Sequence, residues 1–177
     1  MKALIVYESM FGSTRRIAEA ICAELAESID AETKPVGVVA PSDLEGIDLL
    51  LVGGPTHLHS LSSQRTRDEA IDWSLDPEKH LELEPASHRT GIREWITTLE
   101  TVPGRFAAFD TRANITVLLS GSAANSIDAL LTRHGGTRLL PPTGFYITTH
   151  GALRPEETER ARGWARHIVA ESLLPTQ

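Results

Sequence analysis

The fold class predicted by this sequence is an α/β three-layer sandwich, a five-stranded parallel sheet of order 2-1-3-4-5 between two helical layers. Three observations predict it. Strand-like and helix-like stretches alternate along the whole chain, a pattern that implies a parallel sheet with right-handed crossovers. Two of the strand-like stretches, Ala3 to Tyr7 and Ile47 to Val52, are apolar runs broken only by Asp48, as expected of central strands covered on both faces. The second and fifth strand-like stretches contain Pro35 and Pro141-Pro142, and prolines belong at sheet edges. The order 2-1-3-4-5 puts both of them there.

Taken in order, Ala3 to Tyr7 is the central strand, and Ile17, Ala18, Ile21, Cys22 and Leu25 beyond it share one helical face. The second strand is read from Lys34 to Val39, interrupted by Pro35. The third, Ile47 to Val52, leads into Gly53-Gly54-Pro55-Thr56-His57. A short helix over Arg65 to Trp73 and a Pro-, Glu- and His-rich surface excursion from Pro77 to His88 follow. Helical spacing resumes from Gly91 to Glu100, with Ile92, Trp95, Ile96 and Leu99 on one face. Arg105 to Asp110 is the fourth strand, and Asp110-Thr111-Arg112 is read as the loop at its carboxyl end. Ser120 or Ser122 caps a helix from Ala123 to His134 that stops at Gly135-Gly136. Leu139, Leu140 and Phe145 to Ile147 make a fifth strand bent at the two prolines. Pro155 opens a last helix to about Leu174, with Ala161, Trp164, Ala165, Ile168 and Val169 facing inward.

At 177 residues with 41% hydrophobic residues, the chain suits one domain, residues 1–177, with a sizeable core. A formal net charge of −7 argues against nucleic acid as a partner. The N-terminal apolar run is too short for a signal peptide, and no stretch is long enough to span a membrane, so a cytoplasmic protein is expected. Cys22, the single cysteine, reads as a buried inert thiol. No Cys/His cluster has zinc-like spacing, and His57-x-His59 alone is weak support for a metal.

Chemistry concentrates in the turn between the first strand and helix, Ser9-Met10-Phe11-Gly12-Ser13-Thr14. A loop entering a helix presents unpaired N–H groups at the positive end of the helix dipole, and here it adds three hydroxyls and a glycine. Such a loop can cradle a phosphate, or it can simply cap the helix through Ser9, Ser13 or Thr14. There is no G-x-G-x-x-G and no Walker loop.

The spacing from Ile5 to Ile21 closely resembles the FMN-phosphate signature of the flavodoxin family, at the N-terminal position where flavodoxins carry it. Gly53 to Gln64, with Gly-x-Pro-Thr at its start, resembles the second flavin loop of flavodoxins and of related quinone-reductase flavoproteins. Ser62-Ser63-Gln64 looks more like the latter. The resemblance implies a flavodoxin-like fold and an FMN site. In it Ser9, Met10, Phe11, Gly12, Ser13 and Thr14 hold the phosphate, Pro55, Thr56, His57 and Leu58 border one side of the ring, and Asp110, Thr111 and Arg112 approach the other.

FMN is expected rather than FAD, because a closed cradle suits a terminal phosphate. The implied task is redox: carrying electrons to a partner protein, or reducing a small-molecule acceptor with NAD(P)H. A flavodoxin fold without flavin, serving as an interaction module, is a third reading. No residue stands out as a catalytic acid, base or nucleophile, since a flavin carries its own chemistry. The FDTRAN stretch departs from the family's glycine-and-aromatic pattern, and His57, Leu58 and His59 replace aromatic rings. A more exposed flavin is therefore expected, covered by residues 61–90 or by a partner subunit in a homo-oligomer. Arg112, facing the flavin, would favour negative charge on the reduced ring, and Asp110 would oppose it.

Overall fold

The structure is a computed structural model that describes residues 1–57, 60–79, 81–85, 90–148 and 151–174. Its strands are β1 (Lys2–Tyr7), β2 (Asp30–Pro35), β3 (Leu49–Pro55), β4 (Arg105–Ala113), β5 (Thr137–Arg138) and β6 (Thr143–Ile147). The helices are α1 (Ser13–Leu25), α2 (Gln64–Leu75), α3 (Ile92–Thr97), α4 (Val117–Ser120), α5 (Ala123–Arg133) and α6 (Glu157–Ser172). The strands form one parallel sheet in the order β2-β1-β3-β4-β5, with β6 also pairing β4.

The fifth sheet position is thus one strand broken in two. Thr137 and Arg138 pair with the start of β4 at Arg105 and Phe106, and Thr143 to Ile147 pair with its end from Phe109 to Ala113. Between the pieces lie Pro141 and Pro142, which have no N–H to give to a ladder. The five-position parallel order expected from the sequence is the one observed.

Alternation along the strands divides the core between two faces. Ala3, Ile5, Tyr7, Leu49, Leu51, Ala107, Phe109 and Phe145 pack against Ile17, Ile21 and Leu25 of α1 and Ala161, Ala165 and Ile168 of α6. Leu4, Val6, Leu50, Val52, Phe106 and Ala108 face the opposite way, onto Ile92, Trp95 and Ile96 of α3 and Ala123, Ala124, Ile127 and Leu131 of α5. Phe109, Phe145 and Trp164 make an edge-to-face triangle with centroids 6.0 to 6.2 Å apart. Gly53 is required beside it, because a Cβ there would lie 2.1 Å from the Phe109 ring in the paired strand. The two glycines read as loop are accordingly the end of β3.

The boundaries of β2 and β4 differ from the sequence expectation as well. β2 is Asp30–Pro35, earlier than the Lys34–Val39 expected, and Val36–Val38 form a single 3₁₀ turn. An edge strand alternates, and Asp30 and Glu32 leave only short side chains between them, so the valines beyond attracted the reading. β4 runs to Ala113, so Asp110, Thr111 and Arg112 are strand residues rather than a loop. They pair with Gly54 and Pro55 on one side and with Gly144, Phe145 and Tyr146 on the other. Their charges are compatible with a strand because they neutralise each other.

Candidate functional site

The first loop begins where β1 leaves the sheet. Glu8 still donates its N–H to Gly53 of β3 at 2.9 Å, and the chain then turns through Ser9 to Gly12. Gly12, at the N-cap of α1, has φ +89°, a conformation that L side chains rarely adopt. Its N–H donates to Ser9 Oγ at 3.1 Å, closing the turn on itself. The N–H groups of Met10, Phe11, Ser13, Thr14 and Arg15 have no partner among the described residues, and no side chain caps the helix. Donors left open at the positive end of a 13-residue helix form an anion-binding geometry.

The hydroxyls of this loop are engaged within the protein. Ser13 Oγ donates to the Gly151 carbonyl at 2.8 Å, and Thr14 Oγ1 lies 2.8 Å from Thr111 Oγ1, with either able to donate. Thr14 is buried and joins the loop to β4. Ser9 keeps its hydroxyl proton available, since its oxygen acts as acceptor for Gly12.

Under the loop lies a buried polar network that sequence reading missed. Glu8 is 3% exposed; its Oε2 accepts the Ile92 N–H at 2.8 Å and its Oε1 accepts the Ser62 hydroxyl. Ser62 Oγ in turn accepts from Arg67 Nη1 at 3.0 Å, and Arg67 Nη2 reaches Glu94 Oε1 at 3.1 Å. Burial raises the pKa of the Glu8 carboxyl, against the opposing pull of Ser62, Ile92 and Arg67. The network ties the root of the first loop to α2 and α3. An ionisable residue directly after a buried strand was the available signal.

At the second wall, Thr56 donates its N–H to the Thr111 carbonyl at 2.9 Å, and its hydroxyl accepts the Ala123 N–H at the start of α5, also at 2.9 Å. His57 and Ser60 exchange two backbone hydrogen bonds, and Ser60 Oγ lies 3.0 Å from Ser126 Oγ. Burial lowers the His57 pKa, so its ring is neutral near pH 7. Pro55, Thr56 and His57 stand together at the carboxyl end of β3. Leu58, expected beside them, lies outside the described residues, as does His59.

The third wall is electrically closed. Asp110 is fully buried: Oδ1 accepts from Arg112 Nη1 at 2.5 Å, while Oδ2 accepts from Ser122 Oγ at 2.7 Å and from the Ala124 N–H at 3.0 Å. It serves the N-terminus of α5, which Ser122 also caps through Asn125 N–H. Arg112 packs against Gly144, where a Cβ would lie 2.1 Å from its Nη1, and its guanidinium sits 5.8 Å from the Tyr146 ring centre. Both charges expected to act on a flavin are thus spent largely on one another. Thr111, between them, reaches back to Thr14.

Part of the long excursion returns to the first loop. Glu84 donates its N–H to the Met10 carbonyl at 2.8 Å, and its carboxylate meets Arg15 Nε at 2.8 and 3.1 Å. Arg15 also holds Glu19 at 2.8 Å, and these two carboxylates, Glu84 first, raise its pKa. A cavity of about 370 Å³ lies beside the loop, lined by Gly12, Ser13, Arg15, Glu82, Glu84 and Leu153 among others. The remaining stretch of the excursion, including His80 and residues 86–89, lies outside the described residues.

In sequence, the chain matches no known family model and no curated protein. In structure it is similar along nearly its whole length to a flavodoxin from the domain Archaea, with TM-score 0.65 and 16% identity over 97% of this chain and 99% of that one. Flavodoxin 1 from Bacillus cereus superposes with TM-score 0.67 and 16% identity, covering 99% and 100%. A flavodoxin, WrbA-like protein from Agrobacterium tumefaciens gives 0.58 and 19%, covering 97% and 96%. The chain has the flavodoxin-like fold.

Proposed function

We propose that the chain is a flavodoxin-like flavoprotein that binds FMN and works in electron transfer. The observation that carries this reading is the set of open N–H donors from Met10 to Arg15 around Gly12, at the carboxyl end of the central strand. That is the place where ligands bind in an open α/β sheet, and the donors are neutral, compact and several, as a terminal phosphate requires. In this reading Ser9 to Thr14 hold the phosphate, while Pro55, Thr56, His57 and Leu58 border one side of the ring and Asp110, Thr111 and Arg112 border the other. The solved structures that superpose on the chain, flavodoxins among them, support the same assignment.

Bound FMN would supply the electron-accepting and electron-donating chemistry. The chain's own part is to orient the phosphate, to hold the two walls apart and to offer a side to a partner. Thr14 and Thr111 connect the first loop to the third wall through one side-chain hydrogen bond. Asp110 and Arg112 enter as a neutral pair and add little net charge beside the ring.

Titration of the purified protein with FMN and riboflavin tests the reading. Hydrogen bonds to a charged group contribute about 1.5 to 3 kcal/mol each, so FMN should bind at least about tenfold more tightly. Equal affinity for the two would overturn the phosphate assignment, and binding of neither would leave the interaction module. A flavin-loaded protein that oxidises NADPH in the presence of a quinone would make it a reductase rather than a carrier.

A further inference from the structure

Glu84 sits in an unexpected place for a protein that binds phosphate at its first loop. It belongs to the connection between α2 and α3, and residues 81–85 around it lie in no helix or strand. One backbone hydrogen bond, from its N–H to the Met10 carbonyl, fastens it to the loop. Its carboxylate then comes to rest against the N-cap of α1: a Cβ on Gly12 would lie 3.3 Å from Glu84 Oε1. There it takes two contacts from Arg15 and borders the cavity beside the open N–H groups. An anion in that position is stabilised by the helix dipole in the same way as a ligand anion.

The charge balance around the cradle sharpens the point. Arg15 is the cation nearest the loop glycine, and both its carboxylate partners, Glu84 and Glu19, belong to the protein. Arg16 and Glu82 also line the cavity or its rim. A phosphate dianion entering with Glu84 in place would face a carboxylate with its neutralising cation already committed. It would bind better if Glu84 left and Arg15 changed partners.

We propose that Glu84 is a built-in competitor for the anion cradle, displaced from the first turn of α1 and from Arg15 when a ligand phosphate binds. This rests on the phosphate reading above and adds a regulatory element to it. The carboxylate holds the cradle in order between ligands and lowers the affinity for the phosphate. Flavin release is thereby coupled to the return of residues 81–85. Because the strap acts on charge at the phosphate, it leaves the affinity for the ring itself unaltered.

The experiment compares FMN and riboflavin binding, by fluorescence titration at fixed ionic strength, in the wild type, Glu84→Gln, Glu84→Ala and Glu82→Gln. Both Glu84 variants keep the backbone N–H to Met10. They should bind FMN about three- to tenfold more tightly, the effect of removing one partly exposed opposing charge. Riboflavin affinity should stay within about twofold, and Glu82→Gln should change FMN affinity by less than either Glu84 variant. If the wild type prefers FMN but both Glu84 variants bind it no better, the competitor role is wrong and the phosphate site stands. An equal gain in Glu82→Gln would reduce the effect to general surface charge and also overturn it. A wild type that does not distinguish FMN from riboflavin removes the phosphate reading itself.

Discussion

The first loop and the end of β4 are neighbours, joined by the Thr14–Thr111 hydrogen bond, yet they dispose of their polar groups in opposite ways. Around Gly12 the hydroxyls are engaged within the protein, while the N–H groups of Met10, Phe11, Ser13, Thr14 and Arg15 stay open among the described residues. Around Asp110 every carboxylate oxygen is used, by Arg112, Ser122 and the first turn of α5. Open donors at a helix end cost stability and invite a ligand, whereas a saturated carboxylate in a strand contributes to one fixed structure. The number of charges near a cleft is therefore a poor guide to where it binds. The unfilled valences are the better one.

The largest test of that contrast is Asp110→Ala. It leaves Arg112 buried without its counter-ion and should cost about 3 to 5 kcal/mol in denaturant unfolding. The ratio of FMN to riboflavin affinity should meanwhile hold within about twofold, because the Ser9-to-Thr14 loop is untouched. A changed ratio with unchanged stability would reverse the roles given to the two regions. Gly144→Ala pushes a methyl group into the Arg112 guanidinium and should cost about 1 to 3 kcal/mol in the same assay.

A smaller effect measures the joint between the regions. In a double-mutant cycle of Thr14→Val and Thr111→Val, the coupling should be about 1 kcal/mol in stability. Strict additivity would mean that the two hydroxyls do not bond. The last effect is a slope. Burial holds the folded-state pKa of Glu8 above the ordinary 4.5, so the folded chain keeps that proton more tightly than the unfolded one. The corresponding stability is fully present below the unfolded value and is lost as pH rises through the folded one. Relative to Glu8→Gln, the wild type should therefore lose stability as pH rises above the ordinary carboxyl value of 4.5. Parallel pH profiles of the two proteins would show that Glu8 is not perturbed.

The legibility of the sequence followed burial. β1 and the start of β3 were readable because strands covered on both faces are written in uninterrupted Ile, Leu and Val, and α1 and α6 because their apolar stripes repeat at helical spacing. The Ser9-to-Thr14 turn was readable as a strand-to-helix turn, since its glycine at the N-cap is a local signal. β2 was misplaced because half of an edge strand faces water and looks like a loop. The end of β4 was misread for the converse reason: Asp110 and Arg112 look exposed until their pairing two residues apart across a strand face is seen. The links from Glu8 to Ser62 and Arg67, and from Glu84 to Arg15, had no local signature. They bring together residues 54 and 69 positions apart in the chain.

The broken fifth strand has a consequence for how the molecule behaves among its own copies. An exposed sheet edge is a template on which another chain can lay a strand. Along β6 that template is already written over: the Gly144 carbonyl accepts from Arg160, the Tyr146 N–H donates to Glu157 at 3.0 Å, and the Tyr146 carbonyl accepts from Arg154 N–H at 3.2 Å. Thr148 N–H is taken by the Ala152 carbonyl at 2.8 Å. At the far edge, β2 ends in Pro35 and sets Lys34 between Glu32 and Asp43. The β6 border therefore offers no free row of amides among the described residues, and strand-to-strand growth is blocked there, while a charged lysine and a terminal proline guard the β2 border. On the β6 side, association between copies of this chain has to proceed through side-chain surfaces instead.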